Sequence, residues 1–317
     1  MNIKRSLFLA AAVLTTTIAI SAQETPRWLR RSATSPDGSK VVFCYQGDIF
    51  TVSSDGGRAL PITTNEAYDS DPIWTPDGKK IVFSSYRAGS KDIFITSAEG
   101  GAPKRLTDYP GNETPLCVLD GNRVLFQANI QQDALYGGYP GTPQIWQVDE
   151  NAGRPRLVTS LPIMALSVNK SGDLIYEDYK GYEDPLRKHH RSSVTRDIWL
   201  YKAADAQGER FRVTGDGAFT KLTSFAGEDR NPVFAADGKT FYYISEADGT
   251  LNVYKSSTDT PEKATQLTKF KDNPVRFLSV ADNGTLCFSW NGDLYTMAEG
   301  KDPEMRRITV ARDATER

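Results

Sequence analysis

The chain has 317 residues, 39% of them hydrophobic and 25% charged, with a net charge of -2. Those values exclude a disordered chain, a nucleic-acid binder driven by basic excess, and an acidic solvating tail. Three cysteines, Cys44, Cys117 and Cys287, are too few and too odd in number for a disulfide framework; they read as buried thiols, with Cys44–Cys287 the one pairing a closed ring would allow.

Residues 1–22 read as a secretory signal peptide. Lys4 and Arg5 give a basic start, Leu7 to Ile20 an apolar run, and Ser21 and Ala22 the small residues of a cleavage site. Cleavage is expected after Ser21 or Ala22, leaving 23–317 as one exported domain, periplasmic or secreted. The run is short for a membrane span, and the sequence has no second run of that kind, so no membrane association is expected after cleavage.

From there one pattern is written six times. A turn reads Pro36-Asp37-Gly38, Pro76-Asp77-Gly78, Leu119-Asp120-Gly121, Lys170-Ser171-Gly172, Ala236-Asp237-Gly238 and Asp282-Asn283-Gly284. Proline presets the first corner, Asp or Asn suits the second, and glycine takes the positive φ that follows. An apolar strand comes next, from Val41-Val42-Phe43 to Leu286-Cys287-Phe288. A third opens at Asp48, Asp92, Gln144, Asp197, Asn252 and Asp293. A fourth ends in Thr63, Thr107, Thr159, Thr223, Thr268 and Thr309. Those threonines are 44, 52, 64, 45 and 41 residues apart, the length of a propeller blade. The expected fold is all-β: a six-bladed propeller of four-stranded antiparallel blades. Each terminal blade has its own set of four strands, the last near Arg306 to Val310. No strand exchange is therefore expected at closure, and face packing alone would hold the seam. The recurring Asp48, Asp92, Asp197 and Asp293 read as structural, bonding backbone donors at strand starts.

Departures from the repeat mark function. The loop between second and third strands is tight at Gln46-Gly47 and Asn291-Gly292. It swells over 128–143, carrying Tyr136 and Tyr139, and again over 178–196, carrying Tyr182, Arg187, Lys188, His189, His190 and Arg191. These eight residues are the candidate binding set: tyrosines offer contact area at low entropy cost, and the basic run can meet a carboxylate. The blander reading is a loop folded on its own aromatics beside a solvated basic loop. His189 and His190 are the only histidines. As neighbours in an extended segment they point apart, so no metal site or cofactor is expected. No Gly-x-Ser-x-Gly elbow, phosphate-binding loop or dinucleotide fingerprint is present, and no catalytic residue is assigned.

Ser35-Pro36-Asp37-Gly38-Ser39-Lys40-Val41-Val42-Phe43 and Thr75-Pro76-Asp77-Gly78-Lys79-Lys80-Ile81-Val82-Phe83 resemble the propeller repeat shared by TolB and tricorn-type proteases. Ile93-Phe94-Ile95, Gly100-Gly101-Ala102-Pro103-Lys104-Arg105-Leu106-Thr107 and the basic insertion before Asp197-Ile198-Trp199 resemble the tricorn type more closely. The resemblance implies a six-bladed propeller that stands ahead of a second propeller, a PDZ-like module and serine-protease core domains, and that sieves or guides peptides. The family's catalytic serine, histidine and oxyanion donors have no counterpart here. The expectation is a peptide-binding or peptide-gating front part of such a peptidase. Two alternatives stand beside it: a stand-alone periplasmic TolB-like scaffold binding a protein partner, and a propeller enzyme such as a polysaccharide lyase. The lyase would need several basic residues converging on the axis.

Overall fold

The computed structural model describes residues 26–130, 142–151, 153–182, 192–204 and 211–310, and these contain strands and turns without a helix. They form six antiparallel sheets in chain order. The innermost strands are Arg30–Thr34, Asp69–Trp74, Thr114–Leu119, Ile163–Val168, Asp229–Phe234 and Val275–Val280. Each packs against the innermost strand of the next blade, and the sixth packs against the first. The blades therefore stand around a common axis, which these strands line.

The turn chemistry is as expected. The six turn glycines have φ between 68 and 84°, and five close a backbone bond to the residue three before, Gly78 N–H to the Thr75 carbonyl at 2.9 Å for example. The turn aspartates bind the same turns. Asp37 accepts from the Ser35 and Ser39 hydroxyls at 2.6 and 2.7 Å, and the Ser35 bond leads in holding its carboxyl down at about 2.

A blade cannot bury both its faces alone, so the core lies between blades. Six apolar clusters correspond to the six seams. One holds Val42, Ile49, Trp74 and Phe83 between blades one and two; another holds Ile175, Leu200, Phe234 and Tyr243 between blades four and five. Second strands are covered on both faces: Val41, Val42 and Phe43 are all fully buried. The excursion between the third and fourth strands of blade four sends Phe211 back into the seam of blades three and four, where its N–H donates to Gln147 Oε1 at 3.0 Å. Cys44 and Cys287 are free thiols in different seams. Burial pushes both up to about 12.

Blades are also joined by a backbone bond that repeats. The first residue of an inner strand, or the residue just before it, donates its N–H to the carbonyl preceding a third strand of the blade before. The pairs are Asp69 to Gly47, Glu113 to Lys91, Asp229 to Arg196 and Val275 to Leu251, at 2.8–3.0 Å. Leu29 to Gly292 does the same across the ring's seam at 3.0 Å.

Two expectations need correction. In blades one, two and four the N–H that follows the strand-opening aspartate goes to another residue. The repeat threonine takes it: Ile49, Ile93, Ile198 and Val253 donate to the hydroxyls of Thr63, Thr107, Thr223 and Thr268 at 2.9–3.0 Å. Asp48, Asp92 and Asp197 have side-chain partners, such as Thr63 at 3.4 Å, Arg105 at 2.9 Å and Lys221 at 2.8 Å.

The seam is the second correction. Every blade keeps its own four strands, but the fourth strand of blade six is Glu304–Met305, and Ile308–Val310 crosses the seam to pair in parallel with Gly57–Pro61. Leucine or isoleucine before the repeat threonine normally bonds back to the third strand, as Leu106 N–H does to the Ile93 carbonyl. In blade six Arg306 holds that place, bonding Leu294 at 2.8 Å. Arg307 then stands where the threonine would be, and the chain is free to leave. Blade one thereby has five strands, and face packing is joined by a shared sheet.

Candidate functional site: the polar girdle of the channel

Inner strands kink at one repeated place. Arg31, Asp71, Asn231 and Phe277 each lie seven residues before the turn glycine of their blade, and each has φ of 52–57°. The strand register slips there in all four blades. Left-handed φ in a non-glycine residue is held only where the surroundings impose it, and here a bulge turns the side chain toward the neighbouring blade.

These residues carry a polar girdle around the axis. Arg31 Nε lies 3.0 Å from Asp71 Oδ1, joining blades one and two. Lys91 Nζ lies 2.8 Å from Asp71 Oδ2 and donates to Thr114 Oγ1 at 3.0 Å, joining blades two and three. Gln127 donates to the Ile163 carbonyl at 2.7 Å, joining three and four. Asn231 N–H reaches Glu177 Oε2 at 2.8 Å, joining four and five. Asn231 Nδ2 and Oδ1 pair with the Leu278 carbonyl and N–H at 3.1 and 3.0 Å, joining five and six. The ring closes where the Arg31 guanidinium sits 5.3 Å from the Phe277 ring centre. Burial opposes charge on Asp71, but Arg31 and Lys91 outweigh it and hold the carboxyl below its usual range.

Blades four and five add a buried charge cluster beside the girdle. The Arg196 guanidinium bonds Glu177 and approaches Glu228 at 4.0 Å, and Arg230 Nε stands 3.4 Å from the same Glu228 oxygen. Arg196 ends the long loop of blade four, so this cluster ties that loop's base to the axis. Lys180, at the other end of the loop, donates to the Thr195 carbonyl at 2.7 Å and pairs with Asp197.

Two carboxyls at the starts of inner strands are the sensitive groups. Among the described residues both Asp229 oxygens are buried without a well-formed hydrogen bond; burial pushes its carboxyl up to about 7, against the nearby Ser245 and Thr223 hydroxyls. Burial likewise pushes Glu113 up to about 7, against the Thr107 hydroxyl and with help from Asp92 and Asp108. Unfolded carboxyls titrate near ~4, so between about pH 4 and 7 the folded state binds more protons than the unfolded one. Stability is expected to fall as pH rises through that window and to level off above it. Asp229→Asn should raise stability at pH 8 by ~1–3 kcal/mol and flatten part of the slope; urea midpoints between pH 5 and 8 measure both.

Of the residues singled out from sequence, Tyr182 is 75% exposed, two positions beyond Lys180. Tyr136, Tyr139, Arg187, Lys188, His189, His190 and Arg191 lie outside the described residues. The girdle was not anticipated. Its signal was there in Asp71-Pro72 and Asn231-Pro232, since proline inside a strand removes a ladder donor and marks a bulge. Among the described residues no group of three or more His, Cys, Asp or Glu is placed to hold a metal ion.

Six blades around a common axis, one of them five-stranded and four of them with kinked inner strands, define a six-bladed β-propeller. The profile of the tricorn protease N-terminal beta propeller domain matches residues 26–303. The chain belongs to that family. It is 24% identical over 284 residues to tricorn protease homolog 1 of Streptomyces coelicolor, a match covering 87% of this chain and 24% of that protein. The crystal structure of the tricorn protease superposes with a TM-score of 0.71 at 18% identity, over 88% of this chain and 26% of that one. TolB from Acinetobacter baumannii gives 0.55 at 18% identity, over 89% and 66%. The chain spans 16–24% of the length of the curated relatives it matches.

Proposed function

We propose that this propeller is an exported module that binds or gates peptide substrates for a tricorn-like serine peptidase, with bond cleavage carried out by domains outside this sequence. The observation that carries the reading is the girdle: a ring of donors and acceptors crossing every seam at the axis. A peptide main chain offers both donors and acceptors at each residue, and its charged ends and side chains suit the alternation of Arg31, Asp71 and Lys91. The Thr114 hydroxyl is met by Lys91, an ammonium that also pairs with Asp71 and so serves as a hydrogen-bond donor, an arrangement that suits passage or retention of a peptide. Family membership and the tricorn relatives support the peptide as ligand.

The test is fluorescence anisotropy with labelled peptides of about six to twelve residues and mixed sequence. Binding is expected in the micromolar to millimolar range, about 10⁻⁶ to 10⁻³ M, without hydrolysis. Arg31→Ala/Asp71→Ala is expected to weaken it about tenfold, ~1.4 kcal/mol. Undetectable binding, or affinity unmoved by that pair, would overturn the girdle as the site. Export is checked by mass spectrometry of the mature amino terminus, expected at Ala22 or Gln23.

A further inference from the structure

The rim of blade one carries a short loop. Its loop between second and third strands is only Gln46-Gly47, and that of blade six only Asn291-Gly292. Both glycines are left-handed, at φ +88°; Gly47 makes room for the Tyr68 ring and Gly292 for the Trp28 backbone. A Cβ on Gly47 would stand 3.2 Å from Tyr68 Cδ2, and one on Gly292 would stand 3.2 Å from the Trp28 nitrogen. The result is an open cleft of about 560 Å³ lined by Arg27, Trp28, Arg30, Tyr45, Gln46 and Tyr68.

Three features make this a built site. Trp28 is 67% exposed yet held at φ 66°, a strained conformation for a bulky residue that no burial of its own ring offsets. Tyr68 is exposed beside it. Arg27 and Arg30 are exposed, and neither forms an ion pair among the described residues, in contrast to Arg31, Arg87, Arg105, Arg196 and Arg230. No carboxylate lines the cleft.

We propose that this cleft binds an acidic peptide segment, with an aromatic or apolar side chain laid between Trp28 and Tyr68 and flanking carboxylates paired with Arg27 and Arg30. The site is distinct from the axial girdle and shares with the preceding reading only the premise that the ligand is a peptide. Its chemistry favours an acidic peptide over a neutral glycan: sugar hydroxyls carry no charge to meet Arg27 and Arg30, whereas carboxylates flanking an aromatic side chain meet both the guanidinia and the rings. The rigid rings supply contact area at low entropy cost, and the guanidinium forks match carboxylates bidentately. An open cleft suits a segment of a longer chain rather than a small molecule that must be engulfed.

The experiment is anisotropy with a fluorescein-labelled peptide of about ten residues, glutamate-rich with a central phenylalanine, against the chain of residues 23–317. Three probes run beside it: the same peptide with lysine for glutamate, an oligogalacturonate, and a single-stranded oligonucleotide. The acidic peptide should bind at least about tenfold more tightly than each, and more weakly as salt rises. Trp28→Gly removes the ring and suits the left-handed backbone, so it should keep or raise the melting temperature while losing about tenfold or more in affinity. Arg27→Ala/Arg30→Ala should lose as much and flatten the salt dependence. Tighter binding of the glycan or oligonucleotide, no binding of the acidic peptide, or binding that survives both variants would overturn the proposal. Acidic-peptide binding lost in Arg31→Ala/Asp71→Ala but kept in Trp28→Gly would overturn the cleft and leave the girdle standing. Trp28-dependent binding, with mixed-sequence peptides ignoring the girdle variants, would do the reverse.

Discussion

Ile308→Ala/Val310→Ala should destabilise the chain by about 4–6 kcal/mol, seen as a lower urea midpoint with the slope unchanged. Both side chains are almost fully buried, at 1% and 4% exposure, in one cluster with Leu29, Ala59, Cys287 and Leu294. That cluster spans blades one and six, so cavities there loosen the one seam that sequence continuity does not hold. Truncating a buried isoleucine to alanine costs about 2–5 kcal/mol, valine somewhat less, and two neighbours sharing one cavity fall short of the sum. Against a total of roughly 5–15 kcal/mol this is a large share. Thr309 lies between them and points to the other face, so Thr309→Ala should cost less than about 1 kcal/mol. Equal effects at all three positions would contradict the pairing of Ile308–Val310 with Gly57–Pro61.

Arg196→Ala is the second large effect, at about 3–5 kcal/mol. Its side chain is 6% exposed, between Glu177 and Glu228 at 4% and 1%. Removing the cation leaves those carboxylates buried with less compensation, which costs more than the pair contributed while intact. Arg196→Met/Glu177→Gln removes charge from both sides at similar volume, and should recover at least half of the loss in thermal or urea melts. If the double variant were as unstable as Arg196→Ala, volume or loop anchoring rather than charge would be the cause.

Most of the architecture could be read from residues alone, because the signal was local. Glycine at the third turn position, with an apolar triplet two or three residues on, reports a hairpin without reference to anything distant, and all six copies fold as hairpins. Reading failed where one repeat copied another's letters without its place. Thr309 follows an isoleucine as Thr107 follows a leucine, yet the equivalent of Leu106 is Arg306. An arginine at an apolar repeat position was the sign that the pattern had already ended. The girdle was hidden for a different reason. Arg31 meets Asp71 and Phe277, and such partners are set by the ring and not by neighbours in the chain. The candidate loop residues were chosen because loops vary, which finds where repeats differ and overlooks a feature that four repeats share.

The bonds that join inner strands to the preceding blades, from Leu29–Gly292 to Val275–Leu251, run from main chain to main chain. These five links do not depend on the identity of the side chains beside them. Blade surfaces can therefore differ widely while the disc keeps its angular spacing, as a TM-score of 0.71 at 18% identity to the tricorn protease structure illustrates. The handful of glycines, threonines and kinks that aim those amides carries the disc, and the remaining surface is open to new ligands.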